Sequence, residues 1–347
     1  MKALFLRDEL KLSLEVTPDP VLQKRTDIIV KVTAGSICGS DIHFWRGEVP
    51  CIPNFVIGHE FVAQVVEVGE DVKKFKPGDR VAVPAGISCG ICPNCKRGNI
   101  QACYQGAMFG GGKLLGDLPG AQAEYVRVPL ADAGVVHIPD TVSDKAALLV
   151  GDVLSTGYFG IVNGSLQPGA DVAIFGAGPV GLCAVACATL FAPARIFLID
   201  FEDYRLELGA QLGATNLINA SVGKTGKEIK KLTNGQGVDL AVDAVGLPST
   251  MNECITACAI GGVLSIVGVG PQVIEFPIGK LFMKNLSLKT GFVPLLHMQR
   301  LMNLIERGKI DTTALITHEI PLSSIIDGYH IFGDRKENCV KTMIVPG

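Results

Sequence analysis

The chain is poor in charge and has no block of it. Only 19% of its 347 residues are charged, the net charge is −3, and Lys and Arg form no run. A nucleic-acid surface needs a basic patch, so that class is excluded. There is no internal repeat and no low-complexity segment. The opening MKALFLRDELKLSLEV lacks an apolar h-region and a cleavage site, and charge returns at Arg7, so a cytoplasmic protein is expected. One uncharged stretch, Val172 to Ala194, is long enough for a bilayer, which takes about 20 apolar residues. Three glycines and Pro179 at its front and Pro193 near its end break it as a single helix. A βαβ unit buried on both faces is equally apolar, so no membrane span is expected.

What is there is apolar and rich in glycine and cysteine. Apolar residues make up 48% of the chain, which excludes disorder, and the length allows two domains with full cores. The eleven cysteines of a chain without a secretory signal point to metal ligands and buried thiols rather than disulfides.

The first 35 residues read as short strands, Lys2–Leu6, Leu10–Val16 and Asp27–Ala34, the first two as a hairpin. A loop with Cys38, Ser40, Asp41 and His43 follows, and then Gly58-His59-Glu60 ahead of an apolar strand. Thiolate, imidazole and carboxylate suit zinc, although singly Cys38 also reads as a small buried hydrophobe and His59 as a structural histidine. Cys89, Cys92, Cys95 and Cys103 are spaced C-x2-C-x2-C-x7-C in a lobe of Gly, Pro and Asn. Four thiolates close a tetrahedral site, which makes it structural, and a lobe this polar needs the ion to fold. Residues 104–124 form a glycine-rich loop with no assigned element. Asp152 opens a helical stretch after Gly151 and reads by itself as an N-cap.

From Gln167 the composition turns to alternating strands and helices. A strand, Val172–Phe175, runs into Gly176-Ala-Gly178-Pro179-Val180-Gly181, a helix to about Phe191, and a strand Ile196–Ile199 ending in Asp200. This is the G-x-G-x-x-G dinucleotide fingerprint in its strand–turn–helix setting. Gly176 permits the tight turn, Gly178 the approach of a pyrophosphate, and Gly181 close packing of helix on strand, with the helix N-terminus offering N–H donors. The apolar strands that follow extend one doubly wound parallel sheet. The tail from residue 293 reads as a helix, a strand ITHEI, a helix SSIIDGYHIFG and a last strand VKTMIVP.

Cys38-x-Ser40-Asp41-x-His43, Gly58-His59-Glu60, the four-cysteine lobe, PGDRV, GAGPVG and LTNGQGVD, in this order, resemble the zinc-dependent medium-chain alcohol dehydrogenases over essentially the whole chain. GDVLSTGYFG at Gly151–Gly160 is most similar to the formaldehyde-dehydrogenase-like branch. The resemblance implies a GroES-like β-rich catalytic domain of residues 1–152 and 293–347, with the structural-zinc lobe at about 86–105. A Rossmann NAD-binding domain of residues 153–292 is inserted in it. It implies Cys38, His59 and Asp152 as catalytic zinc ligands, which shifts Asp152 from cap to ligand. Glu60 becomes a transient or displaced ligand, because a second carboxylate would blunt the ion as a Lewis acid. Asp41 becomes the partner that orients His59.

The implied reaction is reversible oxidation of a primary or secondary alcohol by NAD to aldehyde or ketone, with the proton leaving through Ser40 and His43. Asp200 is expected on the ribose hydroxyls, which favours NAD over NADP, and Arg205 against the adenine. Lys341 is expected on the pyrophosphate, and Thr156, Val245, Val269 and Phe292 around the nicotinamide. Ala85 leaves the substrate pocket roomy, and Trp45 is a candidate lining residue. A homodimer or homotetramer paired through the nucleotide domains is expected. A polyol or threonine-type dehydrogenase, a formaldehyde dehydrogenase or dismutase, and a zinc-stabilised binding protein on a dehydrogenase scaffold stay open as alternatives.

Overall fold

A computed structural model describes residues 1–347. The chain divides into two compact units, Met1–Asp152 with Pro294–Gly347, and Val153–Val293. The second seam falls one residue beyond the boundary drawn from the sequence.

The first unit is mostly β. Lys2–Asp8 and Lys11–Val16 form an antiparallel hairpin, and Phe55–Val56 adds on the other side of Lys2–Asp8. A larger sheet runs in the order Val136–His137, Arg80–Val83, Phe61–Val68, Ile28–Gly35, Lys341–Val345, Ile316–Pro321, with Tyr125–Val128 also paired to Ile28–Gly35. The C-terminal strand therefore lies beside Ile28–Gly35, the strand that leads into Cys38. Its pairing is antiparallel, Ile344 opposite Gly35. The inward faces carry Val30, Val32, Phe61, Val83 and Phe109, all essentially inaccessible. Phe61 and Phe109 meet edge-on at 5.3 Å. Each such side chain contributes roughly 1.5–3 kcal/mol by leaving water.

Two stretches depart from the sequence reading. Residues after Cys38, expected as a loop, form the helix Gly39–Trp45. Cys-Gly-Ser-Asp reads as turn chemistry, but the Asp41 carboxylate turns back to accept the Cys38 N–H at 2.9 Å, satisfying a helix-start donor. Ile42, Phe44 and Trp45 are buried along the same helix. Trp45 is core, 5% exposed and edge-on to Tyr329 and His330. The glycine-rich segment 104–124 is structured. Ala107–Met108 pairs with Gly86–Ile87, and Gly120, Ala121 and Gln122 donate to the backbone of Val56, Gly58 and Ile57. That lays the segment against the chain leading into His59.

The second unit is a six-stranded parallel sheet in the order Asn216–Asn219, Arg195–Asp200, Asp171–Phe175, Val238–Asp243, Cys258–Ile266, Ser287–Thr290. Counted along this unit the order is 3-2-1-4-5-6, the Rossmann arrangement. Helices Val153–Asn163, Pro179–Thr189 and Pro248–Ala257 pack around the central strand Asp171–Phe175, four residues of which are buried. No single helix is long and apolar enough to cross a membrane.

Candidate active site

The first unit gathers two groups of metal-ligating side chains. In one, Cys38, His59, Glu60 and Asp152 bring their ligand atoms within 4.8 Å of one another. Cys38 stands at the start of the helix Gly39–Trp45, and His59 and Glu60 lie just before the strand Phe61–Val68. Asp152 ends a short 3-10 turn, Leu148–Gly151. Cys38 Sγ lies 3.6 Å, and His59 Nε2 3.3 Å, from Asp152 Oδ2.

This set fits a divalent cation. Burial, then the charges of Glu60 and Asp152, push the Cys38 thiol up. Burial opposes a charged His59, yet Asp41 first and then Cys38 hold its ring well above the usual histidine range. Glu60 and Asp152 raise the Cys38 thiol, while His59 lowers it and, against burial, helps hold Asp152 down to about 2, and a cation among these groups would favour the anionic thiol and acids. Glu60 Oε2 is buried without a hydrogen-bond partner, an acceptor left open toward such an ion.

Surrounding groups fix the ligands. Asp41 Oδ1 lies 3.4 Å from His59 Nδ1, on the side of the ring away from Asp152. Asp41 Oδ2 in turn accepts from Gln122 Nε2 at 3.2 Å, and Gln122 Oε1 accepts from Tyr329 at 2.8 Å. All three partners are buried. The carboxylate is thereby held facing the Nδ1 side of the imidazole. Ser40 Oγ lies 3.5 Å from His59 Nε2. His43, one helical turn further, is 31% exposed and pairs with Glu48.

Lys341 is placed differently from the expectation. It does not stand free for a pyrophosphate. Its ammonium, 1% exposed, donates to Glu60 Oε1 and to the Ile37 carbonyl, each at 2.8 Å. Burial alone would lower its pKa, but Glu60 and then Cys38 outweigh that and raise it. Gln122 and Tyr329 are absent from the sequence reading. The signal for the first is a glutamine amid small residues.

In the second group, Cys89, Cys92, Cys95 and Cys103 also bring their ligand atoms within 4.8 Å of one another. Backbone N–H groups point at the sulfurs, Cys89 N to Cys103 Sγ at 3.2 Å and Gln105 N to Cys103 Sγ at 3.3 Å. The N–H groups of Cys95 and Tyr104 lower the Cys92 thiol to about 6. Burial, Cys92 and Cys103 push Cys95 up to about 12. Metal binding at this cluster must displace the thiol protons that remain.

In the second unit the turn Gly176–Gly181 opens the helix Pro179–Thr189. Gly176 has φ +95, and a Cβ there would strike Val245 at 2.6 Å. A Cβ on Gly181 would stand 1.7 Å from the Gly176 oxygen. Gly178 is different: a Cβ there would meet only Arg205 Nη1, at 4.0 Å. The space in front of it is a cradle for a ligand, beside Pro179 and Val180 at the helix start. Arg205 is buried, bonded to the Tyr204 hydroxyl at 2.8 Å, with its guanidinium facing this turn. Asp200 accepts from the Ala177 N–H at 2.6 Å and the Glu202 N–H at 3.1 Å, which ties the strand end to the turn. Thr156 lies in the helix Val153–Asn163 and is partly buried, while Val269 and Phe292 are 80% and 63% exposed.

Both units match known protein families. Residues 24–140 match the alcohol dehydrogenase GroES-like domain, and residues 179–307 the zinc-binding dehydrogenase domain. An uncharacterized zinc-type alcohol dehydrogenase-like protein of Bacillus subtilis is 34% identical over the full length of both chains. The solved alcohol dehydrogenase TADH of Thermus sp. ATN1 is 35% identical, with a TM-score of 0.95 over all of both chains. A putative zinc-binding dehydrogenase from Sinorhizobium meliloti, solved with NADP, is 27% identical over 99% of each chain, TM-score 0.88. The chain belongs to the zinc-dependent medium-chain alcohol dehydrogenase family. It is an oxidoreductase with a GroES-like domain and a Rossmann domain.

Proposed function

We propose that the protein interconverts a primary or secondary alcohol and its aldehyde or ketone with NAD, at a zinc held by Cys38, His59 and Asp152. The observation that carries this reading is the buried cluster of those three side chains, whose donor atoms converge with Glu60 within 4.8 Å. Zinc there supplies Lewis acidity that makes a hydroxyl acidic near neutral pH, and the nicotinamide supplies the hydride acceptor.

The residues of this chain do the rest. Thiolate and aspartate already balance the two charges of the ion, so Glu60 serves best off the metal, and Lys341 holds it there. Asp41 keeps the His59 ring turned and its Nδ1 side occupied. Ser40 both donates and accepts, which suits it to pass a proton beside His59. His43, one turn along the same helix and partly exposed, is the outlet to solvent. The second zinc closes the Cys89–Cys103 lobe, with no position left for substrate.

Asp200 supports NAD, since a carboxylate at this strand end accepts from ribose hydroxyls and repels a 2′-phosphate. The eleven cysteines, none of them in a disulfide, support a reducing compartment, the cytoplasm. The nucleotide unit leaves Phe282, Met283 and Ile278 at 81%, 78% and 68% exposure near its edge strand Ser287–Thr290, which supports a homo-oligomer.

The test is reduction of the nicotinamide followed at 340 nm across primary, secondary and aromatic alcohols, polyols and formaldehyde, with NAD and NADP in parallel. Preference for NADP would overturn the role given to Asp200. Full activity in Cys38→Ala or Asp152→Ala would remove the zinc mechanism.

A further inference from the structure

The helix Gly39–Trp45 ends in an unusual way. Gly47 sits at φ +66. Its N–H donates to the Phe44 carbonyl at 3.2 Å, and the Glu48 N–H donates to the His43 carbonyl at 2.9 Å. Those two bonds are the Schellman closure, which commonly brings an apolar contact between the residue after the glycine and the one three places back from the helix end. Here these two residues are Glu48 and His43. Their contact is a hydrogen bond, His43 Nδ1 to Glu48 Oε2 at 2.5 Å. The backbone cap therefore sets the pair in place, unlike a chance meeting of two long surface side chains. Glycine suits this position because φ +66 lies in the left-handed region that L side chains rarely adopt. The neighbouring cation is committed elsewhere: Arg46 reaches Asp334 at 3.0 Å and the Gly333 carbonyl at 2.9 Å.

We infer that Glu48 is a positioning residue of the proton outlet. It holds the neutral His43 ring in the Nδ1–H form, so that Nε2 carries the lone pair that receives the proton. An ionised carboxylate only accepts, so the ring nitrogen facing it must be the one that donates. The other nitrogen is then the base. A proton arriving at Nε2 gives an imidazolium whose charge the adjacent carboxylate offsets. That proton then passes from the ring to water, to which His43 is 31% and Glu48 34% exposed. One proton enters the ring and one leaves, and Glu48 ends as it began. The inference rests on reading His43 as the outlet.

Full-length, zinc-loaded protein with 15N-labelled histidine tests this, since six histidines allow His43 to be assigned by comparison with His43→Gln. The expected wild-type spectrum shows neutral His43 as the Nδ1–H tautomer. Glu48→Gln should bring in the Nε2–H form and lower kcat for alcohol oxidation about tenfold, with KM within about twofold. Glu48→Asp should recover part of the loss, and Glu9→Gln, whose carboxylate lies beside Gly47, should change neither spectrum nor rate. Adding Glu48→Gln to His43→Gln should cost nothing further. A wild-type Nε2–H ring, Glu48→Gln at wild-type kcat, additive losses in the double variant, or the same effects from Glu9→Gln would each overturn the inference. His43→Gln at full kcat would remove the outlet itself and with it the catalytic half of the inference, while the tautomer would still decide the positioning half.

Discussion

Lys341 Nζ lies 2.8 Å from Glu60 Oε1, and both side chains are shut off from solvent. The two residues are 281 positions apart, joined because the C-terminal strand lies beside Ile28–Gly35. The pair gives Glu60 a cationic partner within the cluster of metal-ligating side chains. Replacing Lys341 by methionine keeps the length and removes the charge. Glu60 then loses its lysine partner while buried beside Asp152. Breaking a buried pair on one side costs about 3–5 kcal/mol. Lys341→Met should lose stability of that order in denaturant unfolding, and lose kcat as the freed carboxylate competes for the ion. Adding Glu60→Gln, which removes the stranded charge, should restore much of the stability. Wild-type stability in the single variant would show that the pair is not ionised.

Two glycines of one turn should fail in different ways. Gly178 has φ −71, an ordinary value for any residue, and a Cβ there meets nothing of the protein closer than Arg205 at 4.0 Å. Gly178→Ala should fold with an unchanged melting temperature and bind NAD at least about tenfold more weakly, because the methyl fills the phosphate cradle. Gly181→Ala places its methyl 1.7 Å from the Gly176 oxygen, which only a backbone shift can relieve. Its melting temperature should fall by several degrees or more, at about 2–4 °C per kcal/mol for domains of this size. Titration calorimetry with NAD and thermal melts of the two variants separate the cases. Equal effects of the two substitutions on stability would contradict this division.

These two cases also mark what is readable from sequence. The glycine turn, the four-cysteine lobe and His59-Glu60 are local patterns, with each functional group fixed within a few residues of the next, so spacing alone exposes them. The helix after Cys38 is hidden because its capping residue, Asp41, lies inside it and doubles as the partner of His59. Gln122 and Tyr329 lie 207 positions apart and act on Asp41 in series. Only the fold brings them together, as it does Lys341 and Glu60. Trp45 misleads for the opposite reason. It follows His43 closely in sequence, but two steps along the helix, about 200° around it, turn Trp45 into the core against Tyr329.

The lobe should depend on its ion. Four sulfurs converge in a segment whose only regular pieces are Pro93–Lys96 and Ile100–Ala102. Such a segment has little apolar surface to bury, and the metal supplies its folding free energy. Cys95→Ser should lower zinc content from about two ions per chain to about one, read by atomic emission. Cleavage by trypsin at Lys96 and Arg97 should speed up markedly in the same variant. Retention of about two ions with unchanged proteolysis would show that these cysteines do not hold a metal.

The exposed apolar residues of the nucleotide unit point to self-association. Ser287–Thr290 is an edge strand, with unpaired backbone groups along one side. Phe282 and Met283, just ahead of it, are 81% and 78% exposed, and Phe292, just after it, is 63% exposed. A bare edge flanked by apolar side chains is an aggregation hazard unless something covers it, and a second copy of the same edge covers both at once. Sedimentation equilibrium should therefore give a dimer or tetramer for the wild type. Phe282→Asp combined with Met283→Asp buries two charges in the expected interface and should shift the protein toward monomer, raising the dissociation constant by at least about a hundredfold. Circular dichroism of the variant should remain that of the wild type, since neither side chain is part of the core. A wild-type protein that sediments as a monomer at micromolar concentration would remove the interface, and a variant that stays fully associated would move it to another face.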